Sequence, residues 1–183
     1  MKIIIRPFKK GDGSGVIGCF NNGMIKGINK YTGSNTPGNS ADVRALNKQY
    51  SAGRGNNFGF IALEQNSRKI VGACFFSARL EGRTRHKGEV SCGVDPDYLM
   101  QGIGTKLLKK TISKASKTGF ERIEAEVAKG NKASIKLAER CGFKLEGIKR
   151  KGLILDDGTY MDVYVYGMLI QKRRRKFTEV RQL

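Results

Sequence analysis

Apolar and polar residues alternate along the chain in patterns that predict a mixed α/β fold. The opening run IIIRPF predicts a strand, and apolar residues between Val16 and Ile28 recur at the spacing of one helix face. A loop rich in Gly, Ser, Asn and Pro precedes a second predicted helix at residues 41–50. The runs FGFIALEQ and KIVGACFFSARL predict two strands joined by a turn at residues 66–69, and GEVSCGVDP predicts a third. The first half is therefore predicted as one strand, two helices and three strands.

The second half has clearer boundaries between its elements. From Ile103 to Ala115, apolar residues line one helix face and lysines line the other, and Gly119 predicts the end of that helix. The segment ERIEAEVA alternates as a half-buried strand does, and Asn131 is placed to cap the short helix that follows. The last two strands form a predicted hairpin that turns at Asp157-Gly158.

The predicted order is β-α-α-β-β-β-α-β-α-β-β, an α/β domain with one mixed sheet. A chain of 183 residues is long enough for one hydrophobic core and short for two. We therefore predict a single domain over residues 1–171 and a basic tail over residues 172–183, which begin KRRRK.

Composition excludes several classes of protein. No stretch approaches the roughly 18 apolar residues of a membrane-spanning helix, and the start MKIIIRPF is charged too early for a secretory signal, so we expect no membrane contact and a cytoplasmic protein. Four cysteines without a C-x-x-C pair and one histidine argue against a zinc site, and we expect no metal. The net charge of +19 favours anionic ligands, whether a phosphorylated cofactor, RNA or an acidic surface, although a solvated surface explains such charge equally well.

The stretch VDPDYLMQGIGTKLL connects the end of a predicted strand to the start of a predicted helix, and Gly102 and Gly104 lie where that helix begins. Such a turn gathers unpaired N–H groups and the positive end of a helix dipole, which together bind anions. The N–H donors would come from consecutive residues of the turn and the first helical turn: Gln101, Gly102, Ile103, Gly104 and Thr105. An ordinary tight turn is the alternative, and a dinucleotide site is disfavoured because Leu107 stands where that pattern needs a third glycine.

This stretch resembles the acetyl-CoA pyrophosphate loop of the GNAT superfamily of N-acetyltransferases, whose pattern is Q/R-x-x-G-x-G/A after a strand. The segment NKASIKLAERCGF resembles the second signature of that family, at the expected distance downstream. The similarity covers residues 89–169 closely, and the ending is most similar to the ribosomal-protein N-terminal acetyltransferases and the phosphinothricin-type acetyltransferases.

The resemblance implies that acetyl-CoA binds between the strand ending at Val94 and the strand carrying Glu126. The backbone from Cys92 to Val94 would pair with the pantetheine arm, and a backbone N–H near Val94 would face the thioester oxygen. Asn131 and Ser134 match positions that contact the arm of the cofactor or its supporting loop.

The chain departs from the family pattern at two positions. Leu99 stands where the family has Gln or Arg, although the phosphate-binding amides do not depend on that side chain. Ala138 stands where many relatives place a tyrosine that protonates the departing thiolate. Tyr160, Tyr164 and Tyr166 could replace that acid, but strand tyrosines are more often packing residues.

Glu126 is the candidate general base. It precedes Asn131 by the same five positions as the glutamate proposed as base in the ribosomal-protein acetyltransferases that the chain resembles. The alternative is that Glu124 and Glu126 form the solvated face of a strand, and Glu89 is a second candidate. An α-amine, with a pKa of about 8, needs less help from a base than a lysine, with a pKa of about 10.4.

Three classes of function fit these features. The leading hypothesis is an acetyl-CoA-dependent N-acetyltransferase that acts on a primary amine, of a protein N-terminus or a small molecule, by direct transfer. A non-catalytic acyl-CoA-binding module is suggested by Ala138, and a basic RNA- or ribosome-associated protein is suggested by the charge and the KRRRK run. A basic surface would also help an acetyltransferase to reach a ribosomal protein. The sequence leaves open the acceptor and whether the protein is a monomer or a homodimer.

Overall fold

The computed structural model describes residues 2–26, 37–50, 56–79 and 82–170. The order of helices and strands is the predicted one. The elements are β1 Ile3–Pro7, α1 Gly13–Ile25, α2 Ser40–Tyr50, β2 Phe58–Glu64, β3 Ile70–Ala78, β4 Lys87–Val94, α3 Ile103–Lys117, β5 Arg122–Ala128, α4 Lys132–Arg140, β6 Lys144–Ile154 and β7 Tyr160–Leu169. The predicted basic tail and part of the predicted loop rich in Gly, Ser, Asn and Pro lie outside the described residues.

The seven strands form one mixed sheet in the order β1-β2-β3-β4-β5-β7-β6. Every neighbouring pair is antiparallel except β4 and β5, which run parallel because α3 crosses between them. Among the described helices, none is long and apolar enough to span a bilayer.

The two parallel strands stay together over only three residue pairs. Lys87, Gly88 and Glu89 oppose Arg122, Ile123 and Glu124, and the recorded pairing stops there. Beyond that point β4 still pairs with β3 as far as Val94, and β5 still pairs with β7 as far as Ala128. The sheet therefore opens between β4 and β5 on their carboxyl-terminal side.

Ion pairs hold the closed end of this opening together. The Glu124 carboxylate accepts hydrogen bonds from Lys87 Nζ at 3.0 Å and from Arg122 Nε at 2.8 Å. Arg122 also donates to Glu146 on β6, with Nη1 and Oε1 3.0 Å apart. These contacts tie three strands together where β4 and β5 are still paired.

Helices cover both faces of the sheet, and β3 shows why. Cys74 and Phe76 pack with α3 in the larger core, whereas Ala73 and Phe75 pack under α1 and α2 on the opposite face. The near-continuous apolar run of β3 is thus that of a strand buried on both sides.

Asp95 is a buried carboxylate that joins three separate segments. Its side chain is 0% exposed and accepts hydrogen bonds from Asn22 Nδ2 on α1, at 2.8 Å, and from the Asp97 N–H, at 3.1 Å. Lys69 Nζ lies 3.0 Å from the other oxygen. The Asp95 N–H donates to the Val71 carbonyl at 2.9 Å, so the residue also ends β4 against β3.

The start of α1 has no side-chain cap. Asp12 occupies the N-cap position but makes no side-chain cap bond. The Asp12 carboxylate instead accepts two hydrogen bonds from the Arg6 guanidinium, of 2.7 and 2.8 Å. A charged partner from β1 therefore outcompetes the helix amides for this acid.

The closed-end cluster predicts a pH-dependent stability. Burial raises the pKa of Glu124, but the hydrogen bonds from Arg122 and Lys87 outweigh it, so that its pKa lies below the ordinary value. The resulting stabilisation is complete above the pKa of an unfolded glutamate, about 4.3, and is lost as pH falls through the lower folded pKa.

We therefore expect Glu124→Gln to lower the free energy of unfolding at pH 7 by about 1–3 kcal/mol, measured by urea denaturation. The deficit relative to the wild type should shrink below about pH 4. Glu126→Gln is the matched control, because the ion pair of Glu126 with Lys149 is half exposed and its loss should cost little stability. A Glu124→Gln deficit that stayed constant across this pH range would contradict the assignment.

Candidate active site

A cavity of about 720 Å³ borders the second half of β4, past the residues that pair with β5, and none of its described lining residues lies on β5. Ser91, Cys92, Gly93 and Val94 all line it, although alternate residues of a strand point to opposite faces. Gly93 faces α1, since a Cβ there would lie 2.6 Å from the Phe20 ring, whereas Val94 lies against Gly104 at the start of α3. The cavity therefore reaches both faces of the sheet.

On the α3 face, the cavity ends at a cluster of backbone N–H groups. Gly102 has φ +74°, a left-handed conformation that leads the chain into α3 without a side-chain clash. The first hydrogen bond of the helix runs from the Lys106 N–H to the Gly102 carbonyl, at 3.1 Å. The N–H groups of Ile103, Gly104 and Thr105 therefore precede any intrahelical partner, and the positive end of the α3 dipole lies at the same point.

This arrangement has the chemistry of a phosphate site. Of the five predicted amide donors, the structure places Gly102, Ile103, Gly104 and Thr105 in the cavity wall, while Gln101 lies outside it. A Cβ on Gly104 would lie 3.3 Å from the Leu137 side chain, so the missing side chain also lets α3 pack closely against α4.

The start of α4 forms the next part of this wall. Asn131 caps the helix as predicted, because its side-chain oxygen accepts a hydrogen bond from the Ser134 N–H at 3.0 Å. Both residues line the cavity, together with Lys136 and Arg140 one and two turns further on. Two cations thus lie on the same side of the sheet as the amide cluster.

On the opposite face, α1 and α2 enclose a more apolar arm of the cavity. Its apolar wall comes mainly from Ile17, Phe20, Met24 and Leu46. The sequence prediction placed these helices correctly but did not identify the side chains, because their meeting depends on how α1 and α2 pack.

Glu126 lies on the α1 and α2 face of β5 but outside the cavity wall. Its side chain is half exposed, at 50%, and forms an ion pair with Lys149 on β6. Glu89 also lies outside the wall and pairs with Arg79. Since Glu89 opposes Glu124, continuing that register by two residues would set Glu126 across the opening from Ser91.

The comparison with protein families identifies the family of this chain. The model of the acetyltransferase (GNAT) family matches residues 29–143, which is more than half of the chain. The chain belongs to the acetyltransferase (GNAT) family. It is accordingly an enzyme of the N-acetyltransferase class.

Relatives and solved structures agree with this membership. The uncharacterized N-acetyltransferase YoaA of Bacillus subtilis (strain 168) is 24% identical over 173 residues, which are 92% of this chain and 93% of YoaA. The ribosomal protein bS18-alanine N-acetyltransferase of Escherichia coli (strain K12) is 40% identical over 65 residues, 36% of this chain and 44% of the relative. A GNAT superfamily phosphinothricin acetyltransferase from Sinorhizobium meliloti, in complex with acetyl-CoA, superposes with a TM-score of 0.81 at 20% identity, over 93% of this chain and 89% of that one. Both branches that the sequence resembles are therefore confirmed as similar.

Ala138 occupies the position where the family resemblance implies a tyrosine acid, and it is buried in the larger core. The hairpin tyrosines lie elsewhere: Tyr166 is buried and donates to Glu139 Oε1 at 3.2 Å, and Tyr160 is exposed beside Lys151. None of the three hairpin tyrosines lines the cavity.

The chemistry of the cavity wall also limits the roles of its other reactive groups. The neighbouring Cys74 thiol and desolvation raise the pKa of Cys92 well above the ordinary value, so this thiol stays neutral and weakly nucleophilic. No group of three or more acidic, histidine or cysteine side chains able to hold a metal occurs in the part of the chain that the structure describes.

The amide cluster predicts a specific sensitivity to substitution at Gly102. We expect Gly102→Ala to weaken acetyl-CoA binding about tenfold or more, measured by titration calorimetry, because a methyl group would intrude where phosphate approaches the backbone.

Gly158→Ala is a matched control for backbone strain. Gly158 has φ +79° in the distant β6–β7 turn, and at both glycines an added Cβ meets open space. Both variants should lose about 1 kcal/mol of folding stability from the left-handed conformation. Equal acetyl-CoA affinities for the two variants would contradict the phosphate site.

Proposed function

We propose that the protein transfers the acetyl group of acetyl-CoA directly to a primary amine, with both substrates bound at once. The observation that supports this most strongly is the single cavity that reaches both faces of the sheet. A donor can then enter from the α3 face and an acceptor from the α1 face, and the two meet at β4.

The donor would be held mainly by backbone groups. The amides from Gly102 to Thr105, which line the cavity, would bind the pyrophosphate, and Asn131 and Ser134 would border the arm. Beyond Glu89, alternate N–H and C=O groups of β4 face the opening instead of β5, and they can pair with the amides of the pantetheine arm as a strand would.

The reaction forms one bond and breaks one. The lone pair of a neutral amine attacks the thioester carbon, the C–S bond breaks, CoA leaves as its thiolate, and the amine gives up a proton. Negative charge develops on the carbonyl oxygen, and a fixed N–H near Val94 would stabilise it by roughly 3 kcal/mol. The neutral Cys92 thiol favours direct transfer over an acetyl-cysteine intermediate.

Proton transfer would depend little on an enzymatic acid. A CoA thiol has a pKa near that of cysteine, about 8.5, so the thiolate can leave although Ala138 replaces the tyrosine. We propose that Glu126 removes the amine proton through a water molecule, since it lies on the acceptor face of β5 but outside the cavity wall.

A second function, an acyl-CoA-binding module without catalysis, is favoured by one observation, the burial of Ala138 at the acid position. The proposed contact with a ribosomal protein is supported by the relative that is named for the alanine of ribosomal protein bS18, and the proposed contact with RNA only by the net charge of +19 and the KRRRK run.

The proposed function predicts that the purified protein binds acetyl-CoA and releases CoA thiol when a suitable amine is added. The measurement is a thiol-release assay over amines, amino-acid amides and peptide N-termini, with acetyl-CoA affinity measured separately. Tight acetyl-CoA binding without thiol release across the whole panel would support the binding module instead. Absence of acetyl-CoA binding would contradict both.

The role of Glu126 can be tested by Glu126→Gln. We expect kcat to fall about a hundredfold with acetyl-CoA affinity unchanged, and the acidic limb of the pH-rate profile to change shape. Glu146→Gln is the matched control, because Glu146 is also an ion-paired strand residue outside the cavity wall. A Glu126→Gln rate within a factor of two of the Glu146→Gln rate would overturn the assignment.

A further inference from the structure

The charged residues that line the cavity are divided by the sheet according to sign. Lys136 and Arg140 lie on the α3 and α4 face, where the anionic donor is proposed to bind. On the α1 and α2 face, the one charged side chain among the described lining residues is Asp42. A protein of net charge +19 thus presents a negative group at the entrance for the acceptor.

Asp42 is exposed and lies in the first turn of α2, so it borders the outer end of this arm. One carboxylate oxygen, Oδ2, accepts a hydrogen bond from the Asn39 N–H at 2.8 Å. The second oxygen can still attract a cation. In water this attraction acts over about a Debye length and weakens with salt.

The interior of the arm is apolar. Ile17, Phe20 and Met24 follow one another at helical spacing on α1, and Leu46 faces them from α2. The ring of Phe20 lies on the bare backbone of Gly93, which brings this apolar wall directly onto β4. An acceptor that reaches β4 from this side must therefore pass along aliphatic and aromatic surface.

The amide of Asn21 is already satisfied within the protein. Its side-chain oxygen accepts from the Gly38 N–H at 2.8 Å, and its Nδ2 donates to the Gly38 carbonyl at 3.0 Å. This residue therefore fixes the chain before α2 and has little capacity left for a polar substituent of the acceptor. Gln49 is the other amide in this wall.

We propose that the acceptor is an α-amine whose α-carbon carries an apolar side chain. This inference rests on the proposed acetyl transfer. The amine arrives as an ammonium group attracted by Asp42, its side chain packs against Phe20, Met24 and Leu46, and the amine loses its proton close to β4. The absence of a carboxylate from the described inner wall also favours an α-amine, because about a fifth of α-amines but only about a thousandth of lysines are neutral near pH 7.4.

An acceptor panel tests the inference, with acetyl-CoA as donor. Leucinamide should give a kcat/KM at least about tenfold above serinamide, which has a similar amine but a polar side chain. Both should exceed Nα-acetyl-lysinamide. Peptides that begin with leucine separate the two sources of such an amine: kcat/KM above that of leucinamide indicates a protein N-terminus, and a lower value indicates a small molecule.

The experiment distinguishes failure of the acceptor inference from failure of the proposed function. If acetyl-CoA binds and is consumed but serinamide or the lysine derivative matches leucinamide, the acceptor inference is wrong and acetyl transfer stands. If acetyl-CoA does not bind, the proposed function fails and the acceptor inference fails with it.

Two variants test the arm itself. Ala45→Leu places a larger side chain in the wall of the arm from an exposed helix position, and kcat/KM for leucinamide should fall about tenfold with acetyl-CoA affinity unchanged. Ala41→Leu is the matched control, one turn earlier on α2, exposed and outside the cavity wall. Equal activity of the two variants would overturn the placement of the acceptor.

Asp42→Asn tests the charge while keeping an oxygen for the Asn39 N–H. KM for leucinamide should rise about three- to tenfold at low ionic strength, and the difference should shrink in 0.5 M salt, since exposed charges are screened there. The acetyl-CoA affinity should not change. An unchanged KM for leucinamide, or an increase in KM that does not depend on salt concentration, would contradict the role of Asp42.

Discussion

The early separation of β4 from β5 is the constraint on which the rest of the structure depends. After three residue pairs, both strands continue without each other, and backbone groups of β4 are left facing an opening in the middle of the sheet. Backbone N–H and C=O groups need partners, so this opening is suited to a ligand that can pair with a strand. At the closed end, hydrogen bonds among Glu124, Lys87 and Arg122 hold the two strands together and offset the strand pairing that is missing further along.

Asp95 links the two arms of the cavity at the opposite end. It receives a hydrogen bond from Asn22 on α1, which carries part of the acceptor wall, and caps the turn that leads to the amide cluster of α3. These hydrogen bonds connect α1 to the turn that precedes the proposed phosphate site. The cations Lys136 and Arg140 and the acidic Asp42 line the same cavity, but they lie on different faces of the sheet.

Local patterns in the sequence predicted the order of the eleven helices and strands in the described part of the chain, and the cap at Asn131. They also predicted the turn at Gly102 that presents unpaired backbone N–H groups, because strand ends, glycines and helix starts are local features. The hydrogen bonds and the ion pair of the buried Asp95 carboxylate could not be predicted, since its partners Asn22 and Lys69 are distant in sequence and meet only through packing. The side chains of the acceptor wall could not be predicted for the same reason, because they come from separate helices. Alternation along β5 predicted which face of the sheet carries Glu126, but it could not predict how far Glu126 lies from the cavity.

Hydrogen exchange along β4 and the start of α3 is the most direct test of the central claim. Acetyl-CoA should slow amide exchange at residues 91–94 and 101–105, because the cofactor would occupy the opening and bond to these backbone groups. Residues of the β6–β7 hairpin serve as an internal reference and should be little affected. Saturating acetyl-CoA that left exchange at residues 91–94 unchanged would contradict the account.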